Sequence, residues 1–154
     1  MRTAVQVDKI SKEMCERLLH DLELAKRPVL RAIKTSLDNT KYDHKVGYLT
    51  PLGKKVETEL NVSSVKKMSR AIFVLEILIR NLDSGNVANK REIYYVSKGE
   101  IKHNKELKPL DFADQDESDA TIDFICELLE AYREDMNCYA NDRGGQTYSQ
   151  QLVV

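Results

Sequence analysis

From Ser11 to about Asn39, apolar residues at Cys15, Leu18, Leu22, Ala25, Val29 and Ile33 recur every three or four positions, the spacing of a helix with one buried stripe. Pro28 interrupts that run. It lacks an amide donor and crowds the preceding turn, so the pattern predicts a kink there or two successive helices. Between Thr40 and Pro51 the periodicity breaks down, leaving irregular chain or a short strand around Val46 to Leu49. LGKKVETELN reads as a brief helical turn. A second long helix follows, with Ser63 or Ser64 as its N-cap and Met68, Ala71, Ile72, Leu75, Leu78, Ile79 and Leu82 on its buried face. Lys66, Lys67 and Arg70 fall outside that face.

LDSGNVAN is a turn-rich link in which Gly85 supplies the permissive backbone position. Asn89 with Glu92 three positions on forms a capping box, predicting a helix from Lys90 to about Lys98. Two helices joined by a short turn make a helix-turn-helix candidate, with the second helix toward nucleic acid. Gly99 to Pro109 reads as a loop. An acidic approach, DFADQDESD, then leads into another helix, with Ser118 or Asp116 as caps and Ile122, Ile125, Leu128, Leu129 and Tyr132 inward. MNCYAND and QTYSQQLVV flank Arg143-Gly144-Gly145, whose glycines suit a tight hairpin. The order of elements predicts an α+β, mainly helical winged-helix fold. Its divisions are a helical arm over residues 1–40, a winged-helix domain over 41–143, and a link or first strand over 144–154.

Composition narrows the function classes. A chain of 154 residues buries one ordinary core, and no run of about 18 apolar residues exists to span a membrane. The start, MRTAVQVDKISK, lacks the apolar stretch of a secretory signal. Cys15, Cys126 and Cys138 show no paired spacing, and His20, His44 and His103 no metal-ligand cadence. The net charge of -1 hides a division: residues 1–110 carry 22 Lys and Arg against 14 Asp and Glu, residues 111–154 carry 2 against 11. The first part favours a phosphate backbone and the second repels it. A solvated helical surface with an acidic tail would give the same tally.

The chemistry concentrates in NKREIYYVSK, residues 89–98. Tyr94 and Tyr95 diverge by about 100 degrees around a helix, so they cannot share one role. Arg91 lies one turn before Tyr95 on the same face. That makes Tyr95 the candidate nucleophile toward a phosphodiester, with Arg91 binding the phosphate and offsetting its charge, while Tyr94 packs. A phenol with a pKa of about 10 also needs a base or a strong positive field. Asp114, Asp116, Glu117 and Asp119 are acidic enough to bind Mg²⁺, although such loops more often pin basic side chains. Lys90, Lys98 and Arg143 are the candidate DNA contacts.

NKREIYYVSK, followed by FADQDESDATIDFICELLEAYREDMNCYANDRGG, closely resembles the A subunit of DNA topoisomerase VI and its relative, the meiotic double-strand-break protein. The resemblance runs from about Tyr48, through LTPLGKK and the helix of Met68 to Leu82, to Gly144 and Gly145. It implies a winged helix of the catabolite-activator type in which the second tyrosine of the pair attacks DNA. Tyr95 is then the nucleophile and Arg91 its phosphate-binding companion, with Gln115, Ser118 and Asp119 fixing the loop and the next helix. The implied product is a 5′-phosphotyrosyl link on each strand of double-stranded DNA, cut by a homodimer of A subunits.

The resemblance further implies a later Toprim domain holding Mg²⁺, which neither the length nor the motifs of this chain provide. Residues 144–154 would be the threshold of that domain, and the chain alone is expected to bind DNA weakly and cleave it poorly or not at all. A GHKL-type ATPase B subunit, the carrier of ATP, is the implied partner, and the Ser11 to Ile33 stripe is a plausible docking element for it. The implied location is intracellular, at the nucleoid or in the nucleus. The alternative is a noncatalytic winged-helix module for DNA binding or protein interaction, with a purely structural assembly domain as a third reading.

Overall fold

A computed structural model describes residues 3–45 and 47–140. The first helix, α1 (Ala4–Glu23), opens with the Thr3 amide donating to the Gln6 side chain at 3.0 Å and buries Val7, Met14 and Leu18. It does not continue to Asn39 as the spacing predicts. Pro28 lacks the donor a helix needs, and the β-branched Val29 and Ile33 fit a pleated strand. The chain accordingly enters β1 (Val29–Ile33), where Leu30 and Ala32 point inward and Arg31 outward.

β1 runs antiparallel to β4 (Lys55–Glu59), in register Leu30 to Thr58 and Ala32 to Val56. The helical turn expected over LGKKVETELN is therefore a strand, pinned on its outer face by Arg31 to Glu57 at 2.7 Å. Between them a second ribbon rises, β2 (Thr40–Asp43) antiparallel to β3 (Tyr48–Pro51). Asn39 fixes its base. Buried at 1 % exposure, Asn39 donates to the carbonyls of Lys34 and Lys54 and accepts from the Lys54 amide at 3.0 Å. Almost every polar valence of this amide is satisfied, so it sets the crossing of both ribbons without an orphaned group.

Ser64 precedes α2 (Val65–Ser84), as the sequence indicates, and accepts from the Asn61 amide at 2.9 Å. The buried face is Met68, Ala71, Phe73, Val74, Leu75, Ile77 and Leu78. Ile72, expected inside, is exposed, because α2 is covered on more than one side and its inward arc is rotated toward Phe73 and Val74. α2 ends on Gly85 in the left-handed region (φ 69), followed by the short strand β5 (Ala88–Asn89) and α3 (Lys90–His103). α3 runs five residues beyond the expected stop at Lys98, because Ile101 continues the buried row of Ile93 and Ser97.

After a 3₁₀ segment over Lys105–Leu110, α4 (Gln115–Leu129) begins on Asp114, whose side chain accepts from the Glu117 amide at 3.0 Å. Asp114 is thus the cap, rather than Asp116 or Ser118; Ser118 is fully buried. Ile122, Ile125, Leu128 and Leu129 face inward as expected, whereas Tyr132 is exposed. The last described strand, β6 (Cys138–Tyr139), lies parallel to β5.

α2, α3 and α4 pack on one another around Val74, Leu78, Ile93, Phe112, Ile122 and Ile125, and β1 rests on α4. The result is a mostly helical fold with a helix-turn-helix-like core and a small antiparallel β-hairpin wing, a winged-helix architecture. The described antiparallel ribbons lie within residues 29–59; the hairpin expected around Arg143-Gly144-Gly145 lies outside the described residues. Among the described residues no helix is long and apolar enough to cross a membrane.

Candidate functional site

Two features of the sequence aim the tyrosine helix. Asn89 and Glu92 cap it reciprocally, the Asn89 side chain accepting from the Glu92 amide at 2.9 Å and Glu92 from the Asn89 amide at 2.8 Å. The row Ile93, Ser97, Ile101 then faces the core, which turns Arg91 and Tyr95 outward. Tyr95 is 56 % exposed, whereas Tyr94 packs partly buried against the core. Arg91 Nη2 lies 3.3 Å from the Tyr95 hydroxyl, and its guanidinium sits 5.6 Å from the ring centroid. This contact raises the Arg91 guanidinium above its ordinary pKa, chiefly through the hydrogen bond to Tyr95. The arrangement offers an accessible oxygen with a fixed positive charge beside it, suited to meeting an anionic electrophile.

Arg91 and Tyr95 open onto a groove of about 600 Å³ that also takes in Lys90, Tyr94, Gln115 and Asp119. Gln115 donates to Asp119 at 2.7 Å across the first turn of α4. Four residues singled out in the sequence, Arg91, Tyr95, Gln115 and Asp119, therefore share one concavity although 28 positions separate the first from the last. Among the described residues no carboxylate or imidazole is hydrogen-bonded to the Tyr95 hydroxyl.

Three of the four acidic residues proposed for Mg²⁺, Asp114, Glu117 and Asp119, are engaged by other donors. Asp114 caps α4, and Asp119 accepts from Gln115. Glu117 accepts from the Ala113 amide at 2.9 Å and from Arg70 at 3.0 Å. That amide bond leads the causes holding the Glu117 carboxyl below its usual value, with Arg70 adding to it. Such carboxylates are committed to backbone and guanidinium donors, and among the described residues no group of three or more His, Cys, Asp or Glu is placed to hold a metal ion.

The candidate DNA contacts fare differently. Lys90 pairs with Asp123 at 2.7 Å, its side chain 20 % exposed. Lys98 pairs with Asp111 at 2.7 Å, donates to the Phe112 carbonyl and stands over the Tyr94 ring. Arg143 lies outside the described residues. Arg70, read from the sequence as an outward residue, is only 11 % exposed in its side chain and holds the carbonyls of Leu110 and Asp111 as well as Glu117. No local pattern marks that role, since all its partners lie 40 or more positions away.

The fold and groove define a winged-helix protein with a tyrosine and an arginine presented together on a helix. A family model described as Type IIB DNA topoisomerase matches residues 66–138, from the first turn of α2 to the start of β6. The chain is 28 % identical over 141 residues to the A subunit of type 2 DNA topoisomerase 6 from Pyrococcus abyssi, covering 90 % of this chain and 36 % of that protein. It is 28 % identical over 144 residues to the corresponding protein of Methanocaldococcus jannaschii, covering 92 % and 37 %. With that of Aeropyrum pernix it shares 24 % over 149 residues, 94 % and 38 %. The likeness is thus at family level, and the chain spans little more than a third of the length of these relatives. No solved structure matches it.

Proposed function

We propose that this chain is the winged-helix part of a topoisomerase VI-like A subunit, which engages double-stranded DNA as a module and by itself performs no cleavage. The likeness of α2 through β6 to the Type IIB topoisomerase family carries this reading. Lys90 and Lys98 contribute to DNA contact only by exchanging their present carboxylate partners, Asp123 and Asp111, for phosphates. Arg143 and the link over 144–154 belong to the same proposal, as does a helical arm within residues 1–40 that docks a GHKL-type ATPase. The location that follows is intracellular, at the nucleoid or in the nucleus.

In the complete protein a second reading applies, favoured by the exposed Tyr95 hydroxyl 3.3 Å from Arg91. There the Tyr95 oxygen attacks a backbone phosphorus, a tyrosyl–phosphorus bond forms, and the bond from phosphorus to the 3′ oxygen breaks. The 3′ oxygen leaves as a hydroxyl after taking up a proton, and the phenol gives up its own. Arg91 holds the phosphate and offsets the charge that gathers on it. One phosphoester replaces another, so the step runs in either direction without an external energy source. Mg²⁺ in this reading comes with a Toprim domain and ATP with the partner ATPase, while a homodimer cuts both strands.

The test uses both forms. The 154-residue chain is expected to bind duplex DNA at low salt without forming a covalent adduct, and binding that is absent even at low salt overturns the module. The complete protein is expected to form adducts that Tyr95→Phe abolishes while ring packing is kept; adducts that persist with phenylalanine overturn the catalytic reading.

A further inference from the structure

With Lys90 and Lys98 paired internally, the cations available to an anion lie elsewhere. Lys66 and Lys67 stand in the first turn of α2, where no acidic residue accompanies them. Neither makes an ion pair among the described residues. They line a cleft of about 360 Å³ with Ser63, Arg70, Thr121 and Phe124. Lys67 is not loose on this surface: its ammonium stands 4.0 Å above the Phe124 ring, which anchors it by cation–π attraction on one wall. Glu117 is the opposing charge in the cleft; Arg70 pairs with it at 3.0 Å, and Lys66 also acts on its carboxyl electrostatically without pairing to it. The hydroxyls of Ser63 and Thr121 donate to Asn61 and to the Glu117 carbonyl, which leaves the two lysines as the available donors.

The cleft does not end at Phe124. Lys67 and Phe124 also line a furrow of about 260 Å³ beneath the wing with Thr35, Thr58, Lys34 and Glu127, where Glu127 accepts from the Thr35 hydroxyl and Lys34 pairs with Asp38 at 2.7 Å. Among the described residues, the cations of cleft and furrow without an ion pair therefore stay at Lys66 and Lys67, at the cleft itself. Asp119 and Gln115 face the tyrosine groove, whereas Glu117, Ala120 and Thr121 face this cleft, so the two sites flank opposite sides of the first turns of α4.

We infer that the Lys66–Lys67 cleft binds a phosphate group, supplied by the backbone of a nucleic-acid strand that passes the start of α2. The nucleic-acid source rests on the proposed function; the cleft itself does not. It gives the module a grip on DNA separate from the tyrosine groove.

The experiment titrates the full 154-residue chain with a short duplex at several salt concentrations. It compares the natural sequence with the double variant K66Q/K67Q and with K105Q/K108Q, which removes two exposed lysines from the 3₁₀ segment. Each lost phosphate contact lowers the slope of log affinity against log salt by about 1, so the cleft variant is expected to lower it by about 2 and the comparison variant to leave it unchanged. Inorganic phosphate, titrated separately, is expected to shift the backbone amide resonances of Lys66, Lys67 and Thr121. Equal loss of slope in both variants overturns the proposal, as does an unchanged slope in K66Q/K67Q. Where the natural chain fails to bind duplex but phosphate still moves those resonances, the phosphate site stands and the nucleic-acid source falls. Where phosphate and duplex both leave them unmoved, the cleft is not a site.

Discussion

Single side chains in this molecule take their roles from what covers them. Tyr94 and Tyr95 are adjacent, yet one packs against the core and the other stands over half exposed with Arg91 at its oxygen. Arg70 and Lys66 are both basic residues of α2, yet Arg70 is held by two carbonyls and a carboxylate while Lys66 has no ion-pair partner among the described residues. The cysteines show the same dependence. Burial pushes the Cys126 thiol up to about 12 and the Cys138 thiol up to about 11. Because the thiolate is the reactive form, both are expected to resist alkylation at pH 8 by about a hundredfold relative to the urea-unfolded chain. Mass spectrometry after timed labelling measures this, and equal rates in the two states would contradict the burial.

At the scale of elements, termini are where local sequence speaks most clearly. The Asn89 and Glu92 pair starts α3 at the expected residue, and Gly85 at φ 69 ends α2. Replacing Asn89 by alanine removes an acceptor from a helix amide and is expected to cost about 1 kcal/mol, read as a lower urea midpoint with unchanged slope. A midpoint that does not move would mean the cap is dispensable. The first long helix is where spacing misleads. Val29 and Ile33 sit four apart, consistent with a helix face, but they also sit at the two ends of a five-residue strand whose interior alternates Leu30, Arg31, Ala32. A run this short fits either period, and only pairing with Lys55–Glu59 decides between them.

For the whole molecule, folding partly bridges the charge division along the sequence. Lys90 with Asp123, Lys98 with Asp111, Arg70 with Glu117 and Lys55 with Glu130 all join the basic first part to the acidic second part. These acidic residues therefore neutralise four cations, whereas Lys66 and Lys67, like the exposed Lys105 and Lys108, make no ion pair among the described residues. The wing belongs to the same body, because Leu30 of β1 is 1 % exposed and β1 packs on α4. Leu30→Ala is expected to destabilise the protein by about 2–5 kcal/mol, and tyrosine fluorescence and far-ultraviolet circular dichroism are expected to report one shared transition. Separate transitions for the two probes would show the wing folding independently of the helices.

The amino-acid sequence alone determined the helices α2, α3 and α4, the Asn89 cap and the outward pairing of Arg91 with Tyr95. These depend on contacts within about four residues, which periodicity and capping chemistry encode directly. Tertiary structure decided which stretch of the first forty residues became a strand, which lysines kept their charge available, and that Gln115 and Asp119 meet the tyrosine across a groove. Each of these is set by partners far away in the chain, and no local spacing records which distant side chain will arrive.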